Sequence, residues 1–255
     1  MKYPYVSIKF LLSALLIVFS FVILHSSVLH AGQIQPLTEK LAPWQMETGG
    51  ELTGICIDIV KEIQKRIGND REIKIFPWNR AYNMTLKKGG FALFSTARSE
   101  EREALFKWVG PLVPLKSVMY KRKDDPKVYR TLNDAKNVKA IAVTKNVISE
   151  QFLRREGFQN LQVEVGKSGE ENVQRVLSGK AQLYSNGYIS GHYLIKKLHL
   201  EKMIVMTQMK PLFESSLNIA FNIKTPDEVI SLWQTTLDEI RSDGTYDQIL
   251  NNYRQ

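Results

Sequence analysis

The chain has 255 residues, 44% of them hydrophobic and 24% charged, with a formal net charge of +9 and a single cysteine. That length buries a sizeable core as one domain or as two of modest size, and one Cys excludes an intrachain disulfide framework even in an oxidising compartment. The basic balance invites a nucleic-acid partner. However, Lys and Arg are scattered among Asp and Glu and the N-terminus argues for export, so a positive field that draws in anionic solutes is the better use of the charge.

At the start of the chain, Lys2 and Lys9 supply positive charge, and Phe10 to Leu24 is apolar apart from Ser13 and Ser20. This pattern predicts a secretory leader over residues 1–31 with cleavage near Ala31, after Leu29-His30-Ala31. An uncleaved anchor helix, which needs about 20 apolar residues, is the alternative. Either way the remainder is expected in the periplasm, with no stable membrane insertion once the leader is removed. No Cys stands at the boundary, which argues against a lipid anchor.

From Gln33 onward short apolar runs alternate with amphipathic stretches, the pattern of α/β architecture. Ile59, Val60, Ile63 and Ile67 recur at helical spacing, closed by Gly68. Ile73 to Phe76 reads as a strand, Ala81 to Lys88 as a helix stopped by Gly89-Gly90, and Phe91 to Phe94 as a buried strand. Leu115 to Tyr120 is extended, and Lys121 to Lys127 reads as a solvated linker. A second series follows: strands at Ala140–Val143, Leu161–Val165, Gln182–Ser185 and Ile204–Met206, and helices at Val147–Arg155, Glu170–Leu177 and Ser190–Leu198. Leu217 to Ile223 is extended, and two helices close the chain, one with Pro226 in its first turn and one around Tyr246 to Tyr253. The expected division is a discontinuous first lobe, 32–119 plus 212–255, and a second lobe, 120–211. Ligands of open α/β sheets sit at strand C-termini and helix N-termini, so two such lobes facing each other create a cleft.

Most catalytic chemistries lack residues here. After the leader the only histidines are His192 and His199, and there is no second Cys, so neither a zinc site nor a Cys-His centre has support. No phosphate-binding glycine motif occurs either. We expect no catalytic group, no metal and no cofactor. Cys56 reads as a buried small hydrophobe.

The informative segment runs from Ser95 to Arg102, between a strand and a helix. A guanidinium there offers a planar fork suited to a carboxylate, and Ser95 and Thr96 with helix N–H groups complete an anion cradle. Arg98 and Arg102 lie four apart and share a face if the helix has begun; the alternative is that these arginines only pair with nearby carboxylates on the surface. Trp78 and Arg80, in Pro77-Trp78-Asn79-Arg80-Ala81, are candidates to line a cleft. Trp44, in the loop Ala42-Pro43-Trp44-Gln45, is a candidate wall, with Glu39 just upstream. Core packing is the alternative for both tryptophans.

These segments, with Gly54 and Asp58, Trp108-Val109-Gly110-Pro111 and the closing Gly244-Thr245-Tyr246-Asp247-Gln248-Ile249 with Tyr253, resemble the family 3 extracellular solute-binding proteins. That is the polar amino-acid class serving ABC transporters, in the subgroup with a Pro-Trp-x-Arg-Ala segment. The resemblance implies a type II periplasmic-binding-protein fold, two α/β lobes joined by two crossover strands and closing by hinge rotation. It implies that Arg102 holds a ligand carboxylate and that the loop around Trp44 supplies an aromatic wall. The sequence departs from the pattern where amino-acid binders carry an Asp for the ligand ammonium: Asn186 and Gly187 stand there. Asn146-Val147 replaces a Gly-Ser/Thr pair, and Gly90-Phe91 stands where an Asp is frequent.

The expected function is capture of a small polar or anionic solute by a monomer for an inner-membrane ABC permease, with no nucleic-acid partner. Arg102, Arg98 and Arg80 would clamp the anion, Trp44 would form a wall, and Asn186 and Tyr188 would reach in from the second lobe. The rivals are an enzyme on the same scaffold, of the cyclohexadienyl dehydratase type with Glu39 or Glu214 as its acid or base, and a sensory module with no transporter.

Overall fold

The computed structural model describes residues 34–164 and 169–253; the leader expected over residues 1–31 and Val165, at the end of one expected strand, lie outside them. The first lobe begins with β1 (Gln35–Thr38), a short hairpin of β2 (Met46–Thr48) and β3 (Glu51–Thr53), and α1 (Ile55–Ile67). It continues through β4 (Lys74–Ile75), α2 (Trp78–Lys87), β5 (Phe91–Ala97), α3 (Glu100–Glu103) and the long β6 (Phe106–Arg122). The second lobe follows with α4 (Leu132–Lys136), β7 (Ile141–Thr144), α5 (Ile148–Arg155), β8 (Leu161–Glu164), α6 (Gly169–Leu177), β9 (Leu183–Gly187), α7 (Tyr188–Lys197) and β10 (Ile204–Met206). The chain returns through β11 (Phe213–Asn222) and ends with α8 (Asp227–Ser242) and α9 (Thr245–Asn251).

Among the described residues, nine strands form one mixed sheet in the order β4-β1-β5-β11-β6-β9-β7-β8, with β10 also on β6, while β2 and β3 pair with each other. Within each lobe the strands that feed helices run parallel: β1 with β4 and β5, and β7 with β8 and β9. The two halves meet through β6, which pairs antiparallel with β11 from Phe106 to Ser117 and with β9 from Ser117 to Lys121. Strands β6 and β11 are the crossovers of a two-lobed α/β fold.

Four apolar clusters cover the two faces of the two half-sheets, as a sheet with helices on both sides requires. Ile59, Val60, Ile63 and Ile67 of α1 pack with Phe221, Trp233 and Leu237. Leu37, Trp78, Tyr82 and Phe106 fill the opposite face of the first lobe. In the second lobe Tyr120, Val173, Tyr184 and Ile195 form one cluster, and Ile141, Leu153, Phe158 and Leu183 the other. No helix among the described residues is long and apolar enough to cross a membrane.

Several boundaries differ from the sequence reading. The strand expected over Ile73–Phe76 keeps only two ladder residues, Lys74 and Ile75. The run Leu115–Tyr120 is part of a 17-residue strand that continues into the expected linker as far as Arg122. Pro226 caps α8 from outside with ψ 144°, an extended conformation, and so does not sit in its first turn. Helix α4 is fixed by a capping box in which the Thr131 hydroxyl accepts from the Asp134 N–H and the Asp134 carboxylate accepts from the Thr131 N–H.

Candidate ligand-binding site

A cavity of about 560 Å³ opens between the lobes. Its walls come from strand C-termini and helix N-termini, where backbone geometry leaves polar groups facing outward. Lobe 1 contributes Glu39 after β1, Gln45, Ser95 and Ala97 at the end of β5, and Trp78 and Arg102 from α2 and α3. Lobe 2 contributes Thr144 and Ser149 around the start of α5, Asn172 from α6, Ser185 and Asn186 from β9, and Ser190 and Tyr193 from α7.

Arg102 is 1% exposed, and three bonds hold its guanidinium. Nη1 donates to the Ala97 carbonyl at 3.0 Å in its own lobe, while Nη2 donates to the Asn146 carbonyl at 2.7 Å and Nε to Gln151 Oε1 at 3.1 Å in the facing lobe. Its Cζ lies 5.4 Å from the ring centroids of both Trp78 and Tyr82. A guanidinium has five N–H donors, so two remain on a side chain that lines the cavity. Burial pulls its pKa down to about 10, against the charges of Tyr82, Glu101, Glu39 and Glu150 that hold it up, and it stays cationic at neutral pH.

Glu39 is a cavity carboxyl whose burial pushes its pKa up to about 8, although the Arg102 charge opposes the shift. Ser95 sits at φ 58° and donates to Gln45 Oε1 at 2.7 Å. That left-handed residue interrupts the ladder of β5 with β11, and its hydroxyl bonds the loop after β1. Asn146, also left-handed at φ 63°, turns its carbonyl towards lobe 1, where it accepts from Trp78 Nε1 at 3.0 Å as well as from Arg102. Its side-chain amide donates to Asn79, and Glu101 pairs with Arg155, so several contacts bridge the lobes.

Residues 37–255 match a family model described as bacterial extracellular solute-binding proteins, family 3. The chain belongs to this family. No curated relative matches it. Among solved structures, this family 3 protein is similar to a histidine kinase sensor domain that resembles periplasmic binding proteins, at 15% identity and a TM-score of 0.78, covering 87% of this chain and 96% of that one. It is also similar to a mutant of ArgBP from T. maritima, at 17% identity and a TM-score of 0.76, covering 89% and 98%. The substrate-binding protein of an amino acid ABC transporter aligns at 16% identity and a TM-score of 0.74, covering 87% and 99%. At these identities the structures establish a shared fold.

The structure brings Arg102, Ser95, Trp78, Glu39 and Asn186 of the sequence-predicted residues together on the cavity. The others lie elsewhere. Arg98 precedes α3, so it does not share a helical face with Arg102; it forms an exposed fork with Glu103, Nε to Oε2 at 2.8 Å. Arg80 is exposed, with its guanidinium 4.4 Å from the Phe76 ring centroid. Thr96 is buried on the far side of β5, where its hydroxyl donates to the Leu93 carbonyl at 2.9 Å. Trp44 is 5% exposed and belongs to the lobe 1 core, because its carbonyl accepts from the Cys56 N–H at 2.9 Å and draws the loop onto α1. Tyr188 is 43% exposed and stacks on His192, outside the cavity. Glu214 pairs with Lys116 at 2.9 Å, also away from it. Cys56 is buried, which pushes its thiol up to about 12.

Gln45, Asn146, Gln151 and the serines of the second lobe escaped the sequence reading. Their residue types carry no distinctive pattern, and Gln45 and Asn146 stand out only once the loops that hold them are folded.

Proposed function

We propose that this protein is a periplasmic capture component of an ABC-type uptake system, binding a small polar or anionic solute through one carboxylate-like group. The observation that carries the reading is Arg102, a buried guanidinium lining the inter-lobe cavity and bonded to both lobes at once. A solute anion joining that fork adds charge-assisted bonds in a desolvated setting. It also favours the arrangement in which the lobes meet, and so shifts an open–closed equilibrium. The neighbours support capture: one is an amino acid ABC transporter's binding protein, and another is an ancestral arginine-binding protein bound to arginine, at 19% identity. In this reading the leader is cleaved near Ala31, the protein acts as a monomer, and the solute leaves chemically unchanged. Among the described residues Glu39 has no ion-pair partner, and the cavity carboxylates Glu47 and Glu170 are engaged by Lys40 and Lys197 at the rim, which disfavours the dehydratase alternative.

A thermal-shift panel of carboxylates, amino acids and amines tests this, since a bound ligand stabilises by RT ln(1 + [L]/Kd). At least one solute bearing a carboxylate should raise the melting temperature, and the shift should shrink markedly in Arg102→Lys. A response confined to amines, or turnover of the stabilising acid, would refute the reading.

A further inference from the structure

The polar groups around the cavity are unequal in kind. Asn186 Oδ1 accepts from the Gly187 N–H at 2.8 Å and from Ser190 Oγ at 3.3 Å. A backbone N–H can only donate, so this contact fixes which way round the amide stands. The NH₂ is therefore the end that Asn186, a cavity residue, retains for a solute. Gln45 in the facing lobe has its amide turned the same way but is covered. It is 0% exposed, its Oε1 is taken by the Ser95 hydroxyl, and its Nε2 has no partner among the described residues. The two remaining N–H groups of Arg102 and the NH₂ of Asn186, on opposite lobes, are therefore the donors on the cavity wall, with the Gln45 NH₂ covered behind them.

The charges around the cavity mostly cancel in pairs. Lys40 pairs with Glu47 at 2.7 Å and Glu170 with Lys197 at 3.2 Å, both at the rim. Arg102 and Glu39 remain, and burial keeps Glu39 largely protonated at neutral pH. The second lobe otherwise offers only uncharged groups: Asn172, whose Oδ1 has no partner among the described residues, and hydroxyls such as Ser149 and Ser185, which bond each other at 2.9 Å.

We infer that the solute is a carboxylate whose other polar groups are uncharged, a hydroxy- or oxo-acid and not an amino acid, with Asn186 as the residue that turns an ammonium away. This rests on the capture function proposed above. An ammonium carries three donors and no acceptor. Against the Asn186 NH₂ and Arg102 it would meet donors and a like charge, leaving its desolvation uncompensated. With Glu47 and Glu170 taken by lysines at the rim, a counter-charge would have to come from ionising Glu39, against the burial that protonates it. A hydroxyl or carbonyl instead accepts from these donors.

The test is calorimetry on protein purified from the periplasmic fraction, using matched pairs that differ at one position: lactate against alanine, malate against aspartate, 2-hydroxyglutarate against glutamate. The acid of at least one pair should bind about tenfold or more tightly than its amine twin, a difference of about 1.4 kcal/mol. Asn186→Asp, which keeps the acceptor for the Gly187 N–H, should narrow or reverse that preference. An amino acid binding as tightly as its hydroxy twin, in a manner that Arg102→Lys weakens about tenfold or more, would overturn this inference and leave the capture function standing. Amino-acid binding that Arg102→Lys leaves untouched, or binding of neither class, would overturn both.

Discussion

Replacing Arg102 by lysine keeps the charge and removes the fork. The arginine spans three acceptors in two lobes, at 3.0 Å to Ala97 O, 2.7 Å to Asn146 O and 3.1 Å to Gln151 Oε1. A single ammonium cannot reach all three and still face the cavity. The Asn146 carbonyl keeps Trp78 Nε1 as a donor, whereas the Ala97 carbonyl loses its side-chain partner at a cost of about 1–3 kcal/mol. For a chain of this size that lowers the melting temperature by roughly 2–10 °C without abolishing the fold. Losing a bidentate, charge-assisted contact should cost the solute about 1.5–3 kcal/mol, roughly a ten- to hundredfold weaker Kd. Calorimetry reads the affinity, and a thermal melt of the ligand-free variant reads the stability. An affinity within about twofold of wild type would refute the assignment of Arg102 as the anion anchor.

Glu39→Gln probes a carboxyl raised to about 8 in the folded chain from an ordinary value of 4.5. The folded state holds that proton longer than the unfolded state, so the wild type should lose stability as pH rises from about 4.5 to 8. The variant, followed by thermal melts across that window, should show a flatter profile and be the more stable of the two above pH 8. Gly54→Ala should destabilise by about 2–4 kcal/mol in a denaturant melt: the residue has φ +127°, and an added Cβ would lie 2.5 Å from the Trp44 carbonyl oxygen. Arg98→Ala removes an exposed ion pair to Glu103 outside the cavity, so solute affinity should be unchanged and stability should move by less than about 1 kcal/mol. Trp233→Ala empties a 0% exposed site packed edge-on against Phe221 and should cost about 3–5 kcal/mol, read as a lowered denaturation midpoint.

Much of the scaffold was legible because hydrophobic periodicity is local. The spacing of Ile59, Val60, Ile63 and Ile67 locates α1, and the run Ile204–Met206 is a strand as read. Where strands go on through polar residues, local pattern fails: β5 continues past Phe94 to Ala97 because Thr96 and Ala97 pair with β11, a partner more than a hundred residues away. The cavity divides the same way. Arg102 and Ser95 carry their chemistry in the sequence. The exchange of roles between Trp44 and Gln45, one turned into the core and the other onto the cavity, depends on a loop pinned to α1 from Cys56. Arg98 and Arg102 look equivalent until the helix start at Glu100 separates them. Asn146 acts through a carbonyl, which no side-chain reading reveals.

The two strands that join the lobes are also each other's neighbours. Through Pro114–Ser117 and Phe213–Ser216, β6 and β11 remain hydrogen-bonded in register at the crossing point. A lone connecting strand would let one half swivel freely. A laced pair resists torsion and yields chiefly by flexing about one axis, like a leaf spring. Beyond the strands the two halves also meet through Arg155 and Glu101 and through the Tyr193 hydroxyl and Met46 Sδ, 3.4 Å apart. For the capture function proposed above, such a joint would confine the approach of the two halves to one path.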